Sequence, residues 1–182
     1  MKKREAEKKI RELRKEIRHH DYVYYVKDAP EISDREYDRL YHRLEEIEKE
    51  YPELITPYSP TQRVGGEAQK QFEAHRHRTP MLSMDNTYSE EELREFERRN
   101  RRLLPDADFS YFVELKIDGV SISLIYEDGV LAVGSTRGDG RTGDNVTANI
   151  KTIHSIPLRL TDSGLPSRIE VRGEVYIDKR DF

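Results

Sequence analysis

The chain has 182 residues, a formal net charge of −4, 35% hydrophobic and 37% charged residues, and no cysteine. This length suggests one or two domains with a modest core beneath a very polar surface. Without cysteine there is no disulfide and no thiolate metal site, which fits an intracellular protein. No apolar run approaches the roughly 18 residues of a membrane span, and no apolar segment follows the basic N-terminus as in a secretory signal. The negative charge gives no global reason to bind nucleic acid, so a DNA contact would need a local basic surface.

Residues 1 to 51 predict a helical hairpin. Apolar and aromatic residues recur at helical spacing in two stripes, which Pro30 separates. Ser33 followed by Glu36 is the signature of a capping box at the start of the second helix, which we expect to end before Pro52. The first stripe comprises Ile10, Leu13, Ile17 and Tyr24, and the second comprises Tyr37, Leu40, Tyr41, Leu44 and Ile47.

Prolines and glycines mark residues 52–66, PELITPYSPTQRVGG, as an ordered connector. A short helix is expected near Glu67 to Ala74. A longer helix is expected from Ser89 to about Leu104, where Glu92 completes a second capping box.

After Pro105 the hydrophobic period changes from 3.6 to 2, which predicts β-strands. Strands are expected in SYFVELKI (110–117), VSISLIY (120–126) and VLAVGSTR (130–137). Asp118-Gly119 and Asp128-Gly129 separate them and are strong hairpin signals, whereas a third Asp-Gly at 139–140 lies in the loop TRGDGRTGDN. A last strand, RIEVRGEVYI, places Ile169, Val171, Val175 and Ile177 on one face. The predicted fold class is α+β, with a helical hairpin followed by an antiparallel sheet.

The segment ELKIDG places Lys116 just before Asp118 and Gly119, at the end of a predicted strand. One interpretation is structural: the lysine is a solvated side chain at a hairpin corner. The other is covalent catalysis, in which a neutral lysine amine attacks phosphorus and carries a nucleotidyl group. Because the free pKa of lysine is about 10.4, this chemistry requires burial or a nearby cation that lowers the pKa. Asp118 could orient the amine or hold a hydrated metal ion, although a carboxylate alone raises the pKa of lysine.

Neighbouring residues favour the catalytic interpretation. Glu114, Lys116 and Asp118 share one face of an extended strand by their spacing of two. Arg137 begins the TRGDG loop, whose groups can hydrogen-bond sugar or phosphate. Glu174 follows Gly173, and a carboxylate beside a residue without a side chain suits ribose hydroxyls brought close to the backbone. The structural alternative for Glu174 is a solvated or arginine-paired face.

Tyrosines and carboxylates cluster around the break between the two predicted helices. Tyrosine faces and carboxylates attract a cationic aromatic ring such as nicotinamide. Alternatively, Tyr37 and Tyr41 belong to the core and Asp34 complements the helix dipole. The residues of the cluster are Tyr24, Tyr25, Asp34, Tyr37 and Asp38.

Six segments resemble those of bacterial NAD-dependent DNA ligases. ELKIDG, STRGDGRTGDNVTANIKTI and EVRGEVYI are similar to the nucleotidyltransferase motifs of that family. HHDYVYYVKDAPEISDREYDRL, ELITPYSPTQRVGG and TPMLSMDNTY extend the resemblance over nearly the whole chain. Lysine-Asp-Gly alone would also fit ATP-dependent ligases, RNA ligases and capping enzymes, and the helical part is what selects the NAD-using group.

The resemblance implies two domains. Residues 1–66 would form a helical domain with its connector, which captures the nicotinamide mononucleotide half of NAD. Residues 67–182 would form the first part of an adenylation domain, a partial antiparallel nucleotidyltransferase of the ATP-grasp-like ligase type.

The resemblance also implies roles for individual residues. Lys116 would be the nucleophile, assisted by Asp118. Some members of the family have histidine where this chain has Tyr25, and Met84 often corresponds to leucine. NAD would lie near Tyr24, Tyr25, Asp34, Arg35, Glu36, Tyr37, Asp38, Ser83, Met84, Glu114, Arg137 and Glu174.

The implied reaction has three steps and takes place in the bacterial cytoplasm. Lys116 takes AMP from NAD, AMP passes to the 5′-phosphate of a nick in duplex DNA, and the 3′-hydroxyl displaces AMP. Mg²⁺ would stabilise charge on the phosphates. No metal-ligating residue is assigned, and a monomer is favoured.

In this family further lysines, an OB domain, a four-cysteine zinc module, helix-hairpin-helix repeats and a BRCT domain follow. The chain is therefore expected to be an N-terminal fragment, with zinc only in the missing part and weak or no nick sealing by itself. Two alternatives remain open at this point. One is a non-catalytic nucleotide-binding or interaction module, and the other is a lysine nucleotidyltransferase that uses ATP or GTP.

Overall fold

The computed structural model describes residues 2–63 and 72–180 and contains both helices and antiparallel sheets. The helices are α1 (Lys3–Tyr25), α2 (Asp34–Glu50), α3 (Glu90–Leu103) and α4 (Thr147–Lys151), with short 3₁₀ turns at Pro52–Leu54 and Pro60–Gln62. The strands are β1 (Ala74–Arg76), β2 (Val120–Glu127), β3 (Val130–Thr136), β4 (Thr142–Asp144) and β5 (Arg168–Val175). None of the described helices is long and apolar enough to cross a membrane. Residues 2–63 are called the helical unit below, and residues 72–180 the sheet unit.

The helical hairpin is confirmed, and its two stripes face each other. Their shared core consists of Ala6, Ile10, Leu13, Ile17, Leu44 and Ile47, each at most 3% exposed. Tyr24 departs from the prediction because its side chain is 48% exposed. It lies in the last turn of α1, where its ring contacts Tyr25 edge-on at 4.7 Å around a surface pocket instead of packing on α2.

Both predicted helix starts are confirmed. The carboxylate of Glu36 accepts hydrogen bonds from the backbone N–H and the hydroxyl of Ser33, at 2.9 and 2.7 Å. These bonds lower the pKa of Glu36. At α3, Ser89 Oγ accepts from the N–H of Glu92 at 3.2 Å, which satisfies one of the orphan donors of the first turn.

A buried polar network joins the connector to the hairpin. Arg14 Nε donates to Glu48 Oε1 at 3.1 Å, and Arg14 Nη2 donates to the carbonyl of Leu54 at 2.8 Å. Ser59 Oγ donates to Glu48 at 2.6 Å, and the Thr61 hydroxyl donates to the same carboxylate. The connector is therefore an ordered part of the helical unit up to residue 63; its last three residues lie outside those described.

The sheet unit is built on a three-stranded antiparallel sheet with the order β3-β2-β5. Asp128 and Gly129 connect β2 to β3 with φ of 48° and 76°. Positive φ at both residues is the type I′ geometry that matches strand twist, so the predicted hairpin is confirmed. The core on this sheet comprises Ile122, Leu124, Tyr126, Leu131, Ile150 and Leu158.

The predicted strand at 110–117 is wrong, and so is the hairpin at Asp118-Gly119. Residues 107–118 have no strand pairing, because β3 and β5 already occupy the two edges of β2. Apolar side chains of this segment stay in solvent, with Phe112, Val113 and Leu115 between 87% and 91% exposed. Gly119 is required for a different reason: a Cβ there would lie 2.2 Å from the carbonyl oxygen of Val175.

Two smaller expectations also changed. The last strand ends at Val175, so Ile177 lies beyond it, 66% exposed, and does not continue the face of Ile169, Val171 and Val175. The short helix expected at Glu67 to Ala74 falls largely on residues outside those described. Ala74 itself begins β1, which pairs with β4.

Candidate active site

Lys116 lies on the extended segment that leads into β2. Its Nζ is 2.8 Å from Asp118 Oδ1, and its side chain is 62% exposed. The hydrogen bond and the charge of Asp118 raise the pKa of Lys116. The same pair lowers the pKa of Asp118. The expected lowering of the lysine pKa is therefore not present in this arrangement, because the carboxylate outweighs the small effects of burial and of Arg137.

The lysine faces a cavity of about 670 Å³, called here the lysine pocket. Arg137 Nη1 donates to Ser83 Oγ at 2.9 Å, which ties the loop after β3 to the segment before α3. Ser121 Oγ donates to Glu174 Oε2 at 2.6 Å and fixes that carboxylate across β2 and β5. Predicted site residues on its wall are Ser83, Met84, Lys116, Asp118, Arg137 and Glu174.

One predicted residue is not on this wall. Glu114 is exposed and does not line the lysine pocket, because residues 107–118 do not form the regular strand that would align it with Lys116. In its place the structure brings Ser121 to the pocket. Ser121 pairs with Glu174 in the register of β2 and β5, so their side chains lie on the same face of the sheet. The alternation of polar and apolar residues along β2 was the sequence pattern that could have identified Ser121.

The loop between β3 and β4 is held by the side chain of Asp139. Asp139 Oδ1 accepts hydrogen bonds from the N–H groups of Arg141 and Thr142, at 2.8 and 2.7 Å, and these bonds lower its pKa. A Cβ at Gly138 would lie 1.9 Å from the carbonyl oxygen of Thr142, and Gly138 has φ of 56°. This rigid turn sets the position from which Arg137 enters the lysine pocket.

The helical unit contains a second, smaller pocket of about 270 Å³, called here the tyrosine pocket. Its wall includes all five residues of the predicted cluster: Tyr24, Tyr25, Asp34, Tyr37 and Asp38. Asp34 and Asp38 are exposed and form no ion pair with any described residue. Arg35 and Glu36 do not line it: Arg35 is exposed, and Glu36 is bonded to Ser33.

The Tyr37 side chain is held by a hydrogen bond to Asp21, a residue that the sequence analysis did not single out. Its hydroxyl donates to Asp21 Oδ1 at 2.7 Å. Burial and this hydrogen bond raise the pKa of Tyr37. Asp21 is 5% exposed, and its position on α1 follows from the helical spacing of the buried stripe.

The same aspartate lies where the two units meet. Asp21 is 3.9 Å from Arg63 and 3.6 Å from the ring of His154. Arg63 also donates to the carbonyls of Ile153 and Ile156 at 3.0 and 3.1 Å, so it joins the connector to the sheet unit. Sequence reasoning missed this junction, because such contacts span about 90 residues of chain and leave no local pattern.

A cavity of about 630 Å³ lies between the two pockets. Tyr25 belongs to its wall and to that of the tyrosine pocket, and Glu174 belongs to its wall and to that of the lysine pocket. The ring of Tyr25 also contacts His154 at 4.7 Å. Ile122, Leu124 and Val175 on this wall belong to the core face of the sheet, whereas Ser121 and Glu174 hydrogen-bond on the opposite face. This cavity therefore borders the lysine pocket only at Glu174.

Comparison with known proteins gives two matches to family models. Residues 3–65 match the DNA ligase-like, N-terminal NAD⁺-binding domain. Residues 69–182 match the NAD-dependent DNA ligase adenylation domain. Together these matches cover almost the whole chain.

Similar curated proteins carry the name DNA ligase. The chain is 54% identical to the DNA ligase of Pelotomaculum thermopropionicum over 177 residues. The alignment covers 97% of this chain and 26% of that protein. Over its full length the chain is 54% identical to the DNA ligase of Carboxydothermus hydrogenoformans, and the alignment covers 27% of that protein. The relative from Thermotoga maritima is 53% identical over 179 residues, or 98% of this chain and 26% of that protein. The chain thus spans about a quarter of the length of these relatives and belongs to the family of NAD-dependent DNA ligases.

Proposed function

We propose that the chain is the part of an NAD-dependent DNA ligase that captures NAD and accepts its adenylyl group. The observation that carries this proposal is the gathering of predicted residues in two pockets, with Lys116, Arg137 and Glu174 in one and Tyr25, Tyr37 and Asp38 in the other. NAD has a cationic aromatic ring at one end and an adenosine at the other, and these chemistries fit the two pockets in turn. Residues 1–66 and 67–182 would form the two corresponding domains, the second being the first part of a nucleotidyltransferase fold.

Lys116 is the proposed nucleophile of the first step. Its neutral Nζ attacks the adenylyl phosphorus of NAD, a P–N bond forms, and the pyrophosphate P–O bond breaks. Nicotinamide mononucleotide leaves with the bonding electrons, and the amine loses its proton. Arg137 and Glu174 line the pocket. In this proposal Arg137 would donate hydrogen bonds to a phosphate, and Glu174 would accept them from ribose hydroxyls.

The lysine must become neutral before it reacts, and Asp118 opposes this by raising its pKa. Two carboxylates, Asp118 and Glu174, line the pocket, and carboxylate and phosphate oxygens are the ligands that Mg²⁺ prefers. We therefore include Mg²⁺ in the proposal. When bound, the ion would supply positive charge that stabilises the phosphates.

Tyr24, Tyr25 and Tyr37 would receive the nicotinamide ring, whose positive charge is attracted by aromatic faces. The unpaired carboxylates of Asp34 and Asp38 add to that attraction and can accept hydrogen bonds from the neighbouring ribose. The hydrogen bond from Tyr37 to Asp21 fixes the ring of Tyr37 before NAD arrives. Binding is then stronger because less side-chain freedom is lost.

The later steps belong to the whole protein. AMP passes from the lysine to the 5′-phosphate at a nick in duplex DNA, and the adjacent 3′-hydroxyl displaces it. We propose DNA as the partner and the bacterial cytoplasm as the location.

Labelled NAD tests the proposal. The chain, extended past residue 182, is incubated with NAD carrying a radioactive phosphate in the adenylyl group, or with ATP carrying the same label. We expect acid-labile label on Lys116 from NAD and not from ATP, and no label on Lys116→Arg. Label from ATP alone would overturn the assignment of NAD. Label from NAD that persists in Lys116→Arg would overturn the assignment of the nucleophile.

A further inference from the structure

Two further cavities, of about 970 and 550 Å³, adjoin between the helical unit and the sheet unit. Four residues line both of them: Arg18 and Tyr58 from the helical unit, and Arg159 and Thr161 from the sheet unit. No residue predicted to bind NAD lines either one. This place is therefore distinct from the tyrosine and lysine pockets.

The smaller cavity concentrates positive charge in a chain whose net charge is −4. Its wall carries four basic side chains, Lys15, Arg18, Arg63 and Arg159, and one carboxylate, that of Asp21. Asp21 and Arg63 lie 3.9 Å apart and compensate each other. The larger cavity, which Arg18 and Arg159 also line, carries four carboxylates, none of which forms an ion pair with either arginine among the described residues: Glu7, Glu53, Asp128 and Asp162.

The side chains of these two arginines are not paired with any described carboxylate. Among residues 2–63 and 72–180, the side chains of Arg18 and Arg159 form no ion pair and no hydrogen bond. Arg14, the next arginine on the same helix face, is by contrast satisfied by the buried Glu48. Burial and the charges of Arg159 and Arg14 lower the pKa of Arg18, which indicates that like charges are crowded here.

The site is also partly fixed in advance. The guanidinium of Arg159 lies over the ring of Tyr58, with its central carbon 4.5 Å from the ring centroid. Stacking of this kind orients the planar fork of donors. Thr161 adds a hydroxyl that can donate a hydrogen bond to the same space.

We propose that Arg18 and Arg159, with the hydroxyl of Thr161, form a phosphate-binding site at the junction of the two units. Guanidinium forks match the geometry of phosphate oxygens and form two parallel hydrogen bonds to them. A bound phosphate would neutralise the crowded cations and connect the helical unit to the sheet unit. The phosphate group can come from free inorganic phosphate or from a nucleic-acid backbone, and the two sources are distinguished by the experiment.

The experiment uses the 182-residue chain and three variants. Arg18→Gln and Arg159→Gln remove the proposed ligands, and Arg4→Gln makes the same change at an exposed position of α1 outside both cavities. The melting temperature is measured with increasing inorganic phosphate at constant ionic strength. In parallel, binding of a short fluorescent DNA duplex without nicks is measured by anisotropy. NAD is absent from both assays, so the outcome is independent of the proposed ligase activity.

We expect Arg18→Gln and Arg159→Gln to weaken binding of the phosphate ligand by about tenfold or more, while Arg4→Gln matches the unchanged chain. In phosphate-free buffer we also expect Arg18→Gln not to lower the melting temperature, because it relieves repulsion between like charges. A response to inorganic phosphate identifies the free anion as ligand. A response to the duplex alone identifies the nucleic-acid backbone. Responses that are absent, or equal in all four proteins, would overturn the proposal, as would a lower melting temperature of Arg18→Gln with an unchanged ligand response.

Discussion

The buried pair of Arg14 and Glu48 gives the sharpest prediction about stability. Their side chains are only 9% and 3% exposed, so each charge depends on the other for compensation. Glu48→Met leaves the guanidinium of Arg14 buried with the Leu54 carbonyl and the Ser59 hydroxyl as its remaining partners. An uncompensated buried charge of this kind costs about 3–5 kcal/mol of the free energy of unfolding.

Removing both charges should cost less than removing one. In Arg14→Met/Glu48→Met both charges of this pair are gone, so neither is left uncompensated, and the two methionines fill a similar volume. The remaining loss is that of partners for the Ser59 and Thr61 hydroxyls and the Leu54 carbonyl, about 1–3 kcal/mol. We therefore expect the double variant to be more stable than Glu48→Met, although it carries one more substitution.

Urea unfolding followed by circular dichroism measures all the free energies of this cycle. The matched control is the exposed pair of Arg43 and Glu46, whose closest atoms are 2.9 Å apart. Methionine at both of those positions should cost less than about 1 kcal/mol. The reasoning would be refuted by a loss below about 1 kcal/mol in Glu48→Met, or by a double variant whose loss equals the sum of the two single losses.

Three further predictions concern the core and the two pockets. Leu44→Ala should lower the free energy of unfolding by about 2–5 kcal/mol in the urea assay, because Leu44 is fully buried. In the control Leu103→Ala, the residue is 78% exposed and the free energy of unfolding should change by less than about 0.5 kcal/mol. Asp38→Ala should weaken NAD binding by about fivefold in calorimetry and leave the melting temperature unchanged; equal binding would remove the tyrosine pocket from the NAD site. Asp118→Asn should lower the pKa of Lys116 toward its ordinary value, since Asp118 raises it. More of the amine is then neutral at a given alkaline pH, so an acylating reagent should modify Lys116 faster by mass spectrometry; an unchanged rate would contradict this.

Local patterns were sufficient where the determining contacts are close in sequence. The cap at Ser33, the type I′ turn at Asp128-Gly129 and the buried position of Leu44 were all predictable. Each depends on residues within a few positions or on the helical repeat. The chemistry expected of the lysine segment and the tyrosine cluster rests on residue type and stays a prediction.

The pairing of strands that are distant in the chain could not be predicted from local sequence patterns. The run at 110–117 has a strand-like sequence, yet β2 takes β3 and β5 as neighbours and leaves it without a partner. Glu114 consequently lies away from the pocket that Lys116 and Glu174 share. A strand requires a partner edge, and residue spacing alone does not specify which segment occupies that edge.

By itself the sequence determined the helical hairpin, the β2–β3 hairpin and the family to which the chain belongs. Only the tertiary structure brought Tyr25 and Glu174 to a common cavity and placed Arg18 beside Arg159. The physical reason is that helix and turn preferences act over a few residues. Side chains about 140 to 150 positions apart reach a common cavity only through the way the two units pack.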